Sequence, residues 1–427
     1  MGRILLIILS ISAILFTACA PQLPQVTGDE IKSDKHRIES PVVSESALTT
    51  LTEGNTEFAL DLYRQLKDDD GNIFFSPFSV SMALAMVYAG ARGATETEMA
   101  DTMHFNLPQS ELHPAFNKLD SELNSRGEGA KGKDDEGFRL NIVNAIWGQD
   151  GFNFLQEFLD TLAENYGAGM RLLDFIANPE QCRQIINKWV SDQTEDRIKD
   201  LIPEGIIDKN TRLVLTNAIY FNAAWLNQFE EGATREGDFH LLNGNTVSVD
   251  MMHQTEHMGY TSGDGYEAVE LPYDGDELSM IIMVPDEGQF QQFEDTINAG
   301  FLNTVIHGIA DRNVSLSLPK YEFESEFNLN DAMKSMGMSE AFSQSADFSG
   351  MTGKRDLYIS DIVHKAFIAV DENGTEAAAA TAVIMKLTAA PGGETIAVTI
   401  DRPFIFLIRD IPTDTILFMG RVVNPQS

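Results

Sequence analysis

The sequence is short of cysteine and of positive charge. Two cysteines in 427 residues, Cys19 and Cys182, cannot supply a disulfide framework, so stability has to come from packing. Against 65 acidic residues stand 30 basic ones, a net charge of −35. A surface of that sign repels phosphate backbones and anionic lipid, which excludes nucleic-acid binding through a basic groove. No basic helix suited to a polyanion is evident, and no CxxC pair, phosphate-binding loop, dinucleotide fingerprint or G-x-S-x-G elbow occurs. Nothing reads as a catalytic centre, so the chain is not expected to be an enzyme or to need a cofactor.

The apolar run from Ile4 to Phe16 is too short to cross a bilayer comfortably. It follows Arg3 and ends in small residues, so residues 1–19 read as an export signal. Cys19, directly after Thr17-Ala18, matches a lipoprotein cleavage site and would become the lipidated first residue. Ordinary secretory cleavage nearby is the alternative. Either way the product is expected outside the cytoplasm, extracellular or at the cell surface, with a membrane contact through the lipid if Cys19 carries it.

What is present begins with a polar, Pro- and Ser-containing stretch over residues 20–50, read as a flexible tether. From about residue 51 to 427 the pattern is that of one domain. Helical spacing comes early: NTEFALDLYRQL from Asn55, SPFSVSMALAMVYAG with Ser-Pro at a helix entrance, a short helix from Thr95, FLQEFLDTLAENYG, and INKWVSDQTEDRIKDLI. Strand patterns come late: TRLVLTNAIYF, NTVSVDMM, YEAVELPY, ELSMIIMVP, NVSLSLPKYEFESEF, YISDIVHKAFIAVD, FIFLIRD and ILFMGRVV. With no repeat and no strict β-α alternation, the fold class is α+β, on large antiparallel or mixed sheets.

One motif invites an enzymatic reading. In His253-Gln-Thr-Glu256-His257, two histidines four apart would share a helix face and could hold zinc, with Glu256 as general base of a metallopeptidase. The segment follows a strand-like run and lies beside Gly259, so a loop containing histidines is the better reading and no metal is assigned. The glycosylation-type triplets at Asn313 and Asn373 are common by chance and are discounted.

The segment DENGTEAAAATAVIMKLTAAPGG, from Asp371, is too small-sided for a core helix and too long for a turn. Taken by period two, Thr375, Ala377, Ala379, Thr381, Val383, Met385 and Leu387 form an uncharged set, while Glu376 and Lys386 fall on the other. One face could therefore be buried in a sheet without an unpaired charge, and no proline before Pro391 removes a ladder donor. An alanine-rich surface helix is the competing conformation. The sequence permits a switch between exposed loop and buried strand.

Four long stretches, NIFFSPFSVSMALAMVYAGARGATETEM, TRLVLTNAIYFNAAW, HKAFIAVDENGTEAAAATAV and RPFIFLIRDIPTDTILFMGRVVNP, together resemble the serpin family over residues 55–425. That resemblance implies three β-sheets, about eight or nine helices, an exposed reactive centre loop and a metastable monomer. It implies a hinge at Glu372, Gly374, Thr375, Glu376, Ala377, Ala378, Ala379 and Ala380, and a conformational switch at Ser76, Ser79, Asn217, Trp225 and His364. It further implies a covalent, single-use inhibitor of serine, possibly also cysteine, endopeptidases. The family's spacing puts the reactive bond between Thr388 and Ala389, which suits an elastase- or subtilisin-like target; cleavage after Lys386 or Leu387 is the alternative. A serpin-fold binding protein that no longer inhibits is the competing function.

Overall fold

The computed structural model describes residues 28–67, 71–127, 139–375 and 395–426. The export signal with Cys19, the hinge from Glu376 to Ala380 and the candidate bonds from Lys386 to Ala389 lie outside these residues.

The first half of the chain is mostly helical: β1 (Asp29–Ile31), α1 (Glu45–Leu66), β2 (Ile73–Phe75), α2 (Pro77–Tyr88), α3 (Gly93–Met103), α4 (Gln109–Asn124), β3 (Arg139–Gln149), α5 (Gln156–Tyr166), β4 (Met170–Leu173) and α6 (Pro179–Gln193). Strands dominate afterwards: β5 (Leu213–Ala224), β6 (Arg235–His240), β7 (Thr246–Gly263), β8 (Tyr266–Pro272) and β9 (Leu278–Pro285), then α7 (Phe290–Thr296) and α8 (Ala299–Gly308). The chain closes with β10 (Ala310–Pro319), β11 (Tyr321–Asn328), α9 (Asn330–Ser335), α10 (Ser349–Thr352), β12 (Ile359–Val370), β13 (Gly374–Thr375), β14 (Ile396–Thr399), β15 (Phe404–Asp410) and β16 (Ile416–Val422). The α+β class expected from the pattern is the observed one. Ten α-helices lie among the described residues, against eight or nine expected, because α9 and α10 are little more than single turns.

The main sheet has the order β1-β4-β3-β5-β13-β12-β11. Its middle strand β5 is buried along its whole length, because both faces are covered. Leu213, Leu215, Ile219 and Phe221 enter the large core, while Val214 and Ala218, on the opposite parity, pack under Ile186 and Val190 of α6. The large core side is filled by α2, every residue of which is buried; a helix apolar all round belongs between layers. Its start is set by Ser76, whose hydroxyl accepts from the Ser79 amide, and by Pro77 in the first turn.

The second sheet runs β14-β10-β7-β8-β9-β15-β16-β2, with β6 also on β7. The long β7 divides it: its first part pairs with β6 and β10, and its last residues pair with β8. Counting the two halves separately gives the three sheets of the resemblance.

Several local expectations change. The first helix begins at Glu45, capped by Ser44, ten residues before the Asn55 start; Asn55 sits inside it, and its amide donates to the Ile416 carbonyl at 3.2 Å. The helix expected through residue 202 ends at Gln193, where Glu195 and Asp196 turn to positive φ. The His253–His257 segment is not a loop but part of β7.

The tether expected over 20–50 gives way from Gly28 onward. β1 pairs antiparallel with β4, and the chain then crosses α5 and α4. Ser33 donates to Asp160 at 2.5 Å, Lys35 pairs with Asp160 and Glu164 at 3.1 and 2.8 Å, and the Ile38 amide donates to the Glu164 carbonyl at 2.9 Å. Arg37 donates to the Asn117 side-chain oxygen at 2.7 Å and pairs with Asp120 at 2.6 Å. This segment is a strap over three elements, and its polar composition reflects side chains spent on ion pairs.

Candidate functional site

The feature that organises the site is β13. Gly374 and Thr375 sit between β5 and β12 at one end of the main sheet, antiparallel to both: Gly374 opposite Ala224, and Thr375 opposite Ala223 and Val370. Below them β5 and β12 pair with each other in parallel, from Tyr220 with Phe367 down to Leu213 with Ile359. Calling the β13 end the upper one, the sheet is wedged apart at its top and closed beneath.

Each residue of the wedge is held. A Cβ at Gly374 would lie 2.1 Å from the Ala223 carbonyl oxygen, so only glycine fits there. Thr375 is fully buried, and its hydroxyl lies 2.8 Å from the Tyr273 hydroxyl. Tyr273 stacks on Trp225 with ring centroids 4.7 Å apart. The Trp225 indole donates to the Asp371 carbonyl at 3.0 Å, its amide donates to the Asn373 carbonyl, and the Phe229 amide donates to the Glu372 carbonyl. The Glu372 carboxylate accepts from Thr234 at 2.6 Å and pairs with Lys320 at 2.9 Å. Burial alone would raise that carboxyl; the Thr234 and Lys320 contacts outweigh it and hold it below its usual value. Asn373, in the discounted glycosylation triplet, is buried with no room for a glycan.

Midway down, a second cluster lies between the sheet and α2. His364 of β12 and Asn217 of β5 are opposite partners in the parallel ladder. The His364 Nδ1–H donates to the Asn217 side-chain oxygen, while its Nε2 accepts from the Ser76 amide at 3.3 Å. The Asn217 amide donates to Ser79 and to Asn144 of β3, and the Asn144 amide returns to the Ser79 carbonyl at 3.1 Å. Ser76 donates to the Leu417 carbonyl of β16 at 2.7 Å. A proton on Nε2 would face the Ser76 N–H with no acceptor, and His364 is fully buried. Burial accordingly pushes the His364 pKa down to about 3. The cluster ties β3, β5, β12 and α2 together with neutral hydrogen bonds.

Ser76, Ser79, Asn217 and His364 are thus in one network, and Trp225 is in the upper one with Glu372, Gly374 and Thr375. The sequence reading missed Asn144, Thr234, Tyr273 and Lys320. Asn144 carried a signal, as an amide inside the otherwise apolar run IVNAIW. The other three had none, since their partners are more than fifty residues away.

The zinc reading fails on geometry. His253 and His257 lie four residues apart on a strand, about 13 Å along it, beyond what one ion can bridge. Glu256 points to the opposite face. His253 meets Ser317 at 2.7 Å and His257 meets Asp311 at 2.9 Å. Among the described residues no cluster of three metal-ligating side chains occurs.

Comparison with known proteins bears on this architecture as a whole. The family model described as Serpin (serine protease inhibitor) matches residues 53–425. An uncharacterized serpin-like protein of Thermococcus kodakarensis is 43% identical over 370 residues, 86% of this chain and 84% of that protein. The leukocyte elastase inhibitor of Homo sapiens is 39% identical over 387 residues, 88% of this chain and 99% of that protein. Among solved structures, the thermophilic serpin tengpin in its native state superposes with a TM-score of 0.80 at 28% identity, covering 92% of this chain and 97% of that one.

Proposed function

The chain belongs to the serpin family, whose members are mostly protease inhibitors, and we propose that it is a covalent, single-use inhibitor of serine endopeptidases. The observation that carries this is the register of β13. Thr381 lies six residues after Thr375; six residues before Val370 is His364, and six before Ala223 is Asn217. Those two are themselves partners across the closed part of the sheet. Continuing the β13 strand downward therefore meets both neighbours in register, with Thr381 entering between His364 and Asn217 in place of their hydrogen bond. Thr375 already points to the core side, so Ala377, Ala379, Thr381, Val383 and Met385 follow it there on strand parity. The small residues come first, at the level where β5 and β12 must begin to part.

The chemistry is then supplied by the protease. Its serine oxygen attacks the carbonyl carbon of Thr388, or that of Lys386 or Leu387. The peptide C–N bond breaks, and the new amine at Ala389 leaves with a proton from the enzyme's histidine. An ester joins the two proteins. About 13 residues, Glu376 to Thr388, insert below Thr375 at ~3.3 Å each and carry the ester roughly 43 Å down the sheet. Ladder hydrogen bonds on both sides and burial of the uncharged face drive this step. Strain on the displaced protease stalls hydrolysis of the ester. A small residue before the bond suits elastase- or subtilisin-like targets, and cysteine endopeptidases would form the corresponding thioester. We take the protein to be exported, with Cys19 as its lipid attachment.

The test mixes the protein with elastase-, subtilisin-, trypsin-, chymotrypsin- and papain-type proteases. A complex that survives denaturing electrophoresis, with release of a carboxyl-terminal fragment whose mass gives the bond, is the expected result. If every protease clips the loop and stays active, the inhibitor reading is lost and a non-inhibitory binding role takes its place.

A further inference from the structure

The chain contains two Asn-Gly pairs: Asn243-Gly244, in the exposed turn between β6 and β7, and Asn373-Gly374, in the wedge. In such a pair the main-chain nitrogen reaches the preceding side-chain amide most easily, because glycine has no Cβ to obstruct the approach. At 374 the fold leaves no choice of residue, since a Cβ there would meet the Ala223 carbonyl. The wedge therefore sets an unhindered nitrogen directly after an asparagine.

In the closed wedge that nitrogen is held elsewhere. The Gly374 N–H donates to Asp371 Oδ1 at 3.3 Å, and the Asn373 N–H donates to the same oxygen at 2.7 Å. The Trp225 amide donates to the Asn373 carbonyl at 2.9 Å, and the Asp371 amide to the Gly374 carbonyl at 3.0 Å. Both Asn373 and Gly374 are buried. To reach Asn373 Cγ, the Gly374 nitrogen must swing about the Asn373 Cα–C bond, which breaks this set. Only Gly374 and Thr375 form β13, so local opening costs less than global unfolding.

We propose that Asn373 is a spontaneous deamidation site, gated by opening of the wedge, whose conversion turns an inhibitor molecule into a substrate. The Gly374 nitrogen gives its proton to hydroxide and attacks Asn373 Cγ. The Cγ–Nδ2 bond breaks, ammonia leaves, and a cyclic imide closes. Water then opens the ring. Breaking the bond from nitrogen to Cγ gives aspartate. Breaking the bond from nitrogen to the main-chain carbonyl carbon gives isoaspartate, and the chain then runs through Cβ and Cγ. That extra main-chain atom shifts Gly374 and Thr375 against Ala224, Ala223 and Val370, and the error passes to every residue that follows. A new carboxylate also arrives in a buried place beside Glu372. The modification stands apart from the inhibitor reading, while its effect on trapping rests on that reading.

The experiment ages wild type at mildly alkaline pH and maps residue 373 by peptide mass spectrometry that tells isoaspartate from aspartate. A free peptide of residues 369–377 gives the ungated rate. Intact protein should convert Asn373 about tenfold or more below the peptide, and loop-clipped protein about tenfold below the intact form. The fraction carrying isoaspartate at 373 should match the fraction that proteases cleave without being trapped. Asn373→Gln should keep its ratio of aged to fresh trapping, whereas Asn243→Gln should decline as wild type does. Conversion at the peptide rate overturns the inference. So does conversion no faster than the global unfolding equilibrium of the same sample allows, or isoaspartate at 373 as frequent in trapped complexes as in cleaved molecules. A clipped form that melts higher than the intact one, yet converts as fast, also removes the gate. If fresh wild type traps no protease, the inhibitor reading has failed, and the mapping still decides the modification.

Discussion

Two buried imidazoles make stability depend on pH. Burial lowers His364 to about 3 and His113 to about 4, against ~6.5 in the unfolded chain. Between those values the unfolded chain binds protons that the folded one refuses, so this stabilisation is whole above pH 6.5 and is lost as pH falls. By pH 5 each histidine costs about 2 kcal/mol. Asp361 acts in the opposite sense: burial raises its carboxyl to about 6, so the folded state protonates first and regains about 1 kcal/mol by pH 5. The sum, a loss near 3 kcal/mol between pH 7 and pH 5, should appear as a falling urea midpoint. His364→Gln should flatten the profile; an unchanged slope would mean that His364 titrates normally.

Residue-level legibility was uneven for a physical reason. A polar residue in a buried strand, such as Asn144 or His364, announces that it needs a partner. An exposed-looking residue such as Lys320 or Thr234 becomes a site residue only because the fold delivers Glu372 to it. The strap was illegible for a related reason: three strand residues bearing two carboxylates have no hydrophobic period to read.

At the scale of elements, β13 is a wedge whose two residues have different duties. Thr375→Arg places a charge on the face that must be buried. The variant should still be cleaved by proteases that wild type traps, but release them active, which titration of residual protease activity would reveal. A variant that inhibits one-to-one would contradict burial of that face. The strap makes a separate prediction. Arg37→Ala removes a charge-assisted contact set to Asn117 and Asp120, and should cost about 2 kcal/mol, measured as a shift in the denaturant midpoint. No shift would indicate that the strap adds nothing to native stability. Strands and most helices were readable at this scale, because β5 and α2 are apolar through being covered on all sides. The end of α6 was not, since the polar 194–200 segment keeps a helical composition while its backbone turns away.

For the whole molecule, the native state holds a main sheet closed by the His364–Asn217 bond below a strand only two residues long. Clipping the loop should let that strand grow. With roughly one net hydrogen bond's worth of stabilisation per added residue, the clipped molecule should melt more than about 10 °C above the intact one. Equal melting temperatures in scanning calorimetry would deny that the intact form is metastable.

The strap has one further consequence for orientation. β1 lies beside Arg171 and Leu172, which neighbour Trp147 and Gly148, and Gly148 faces Leu213 at the foot of β5. The polypeptide ahead of Gly28 thus departs from the pole roughly 35 Å from the seat of Gly374. If residues 1–27 carry the proposed lipid attachment, Gly374 lies at the opposite end of the main sheet from it. A captured protease, drawn down the sheet, would finish its journey beside the mooring.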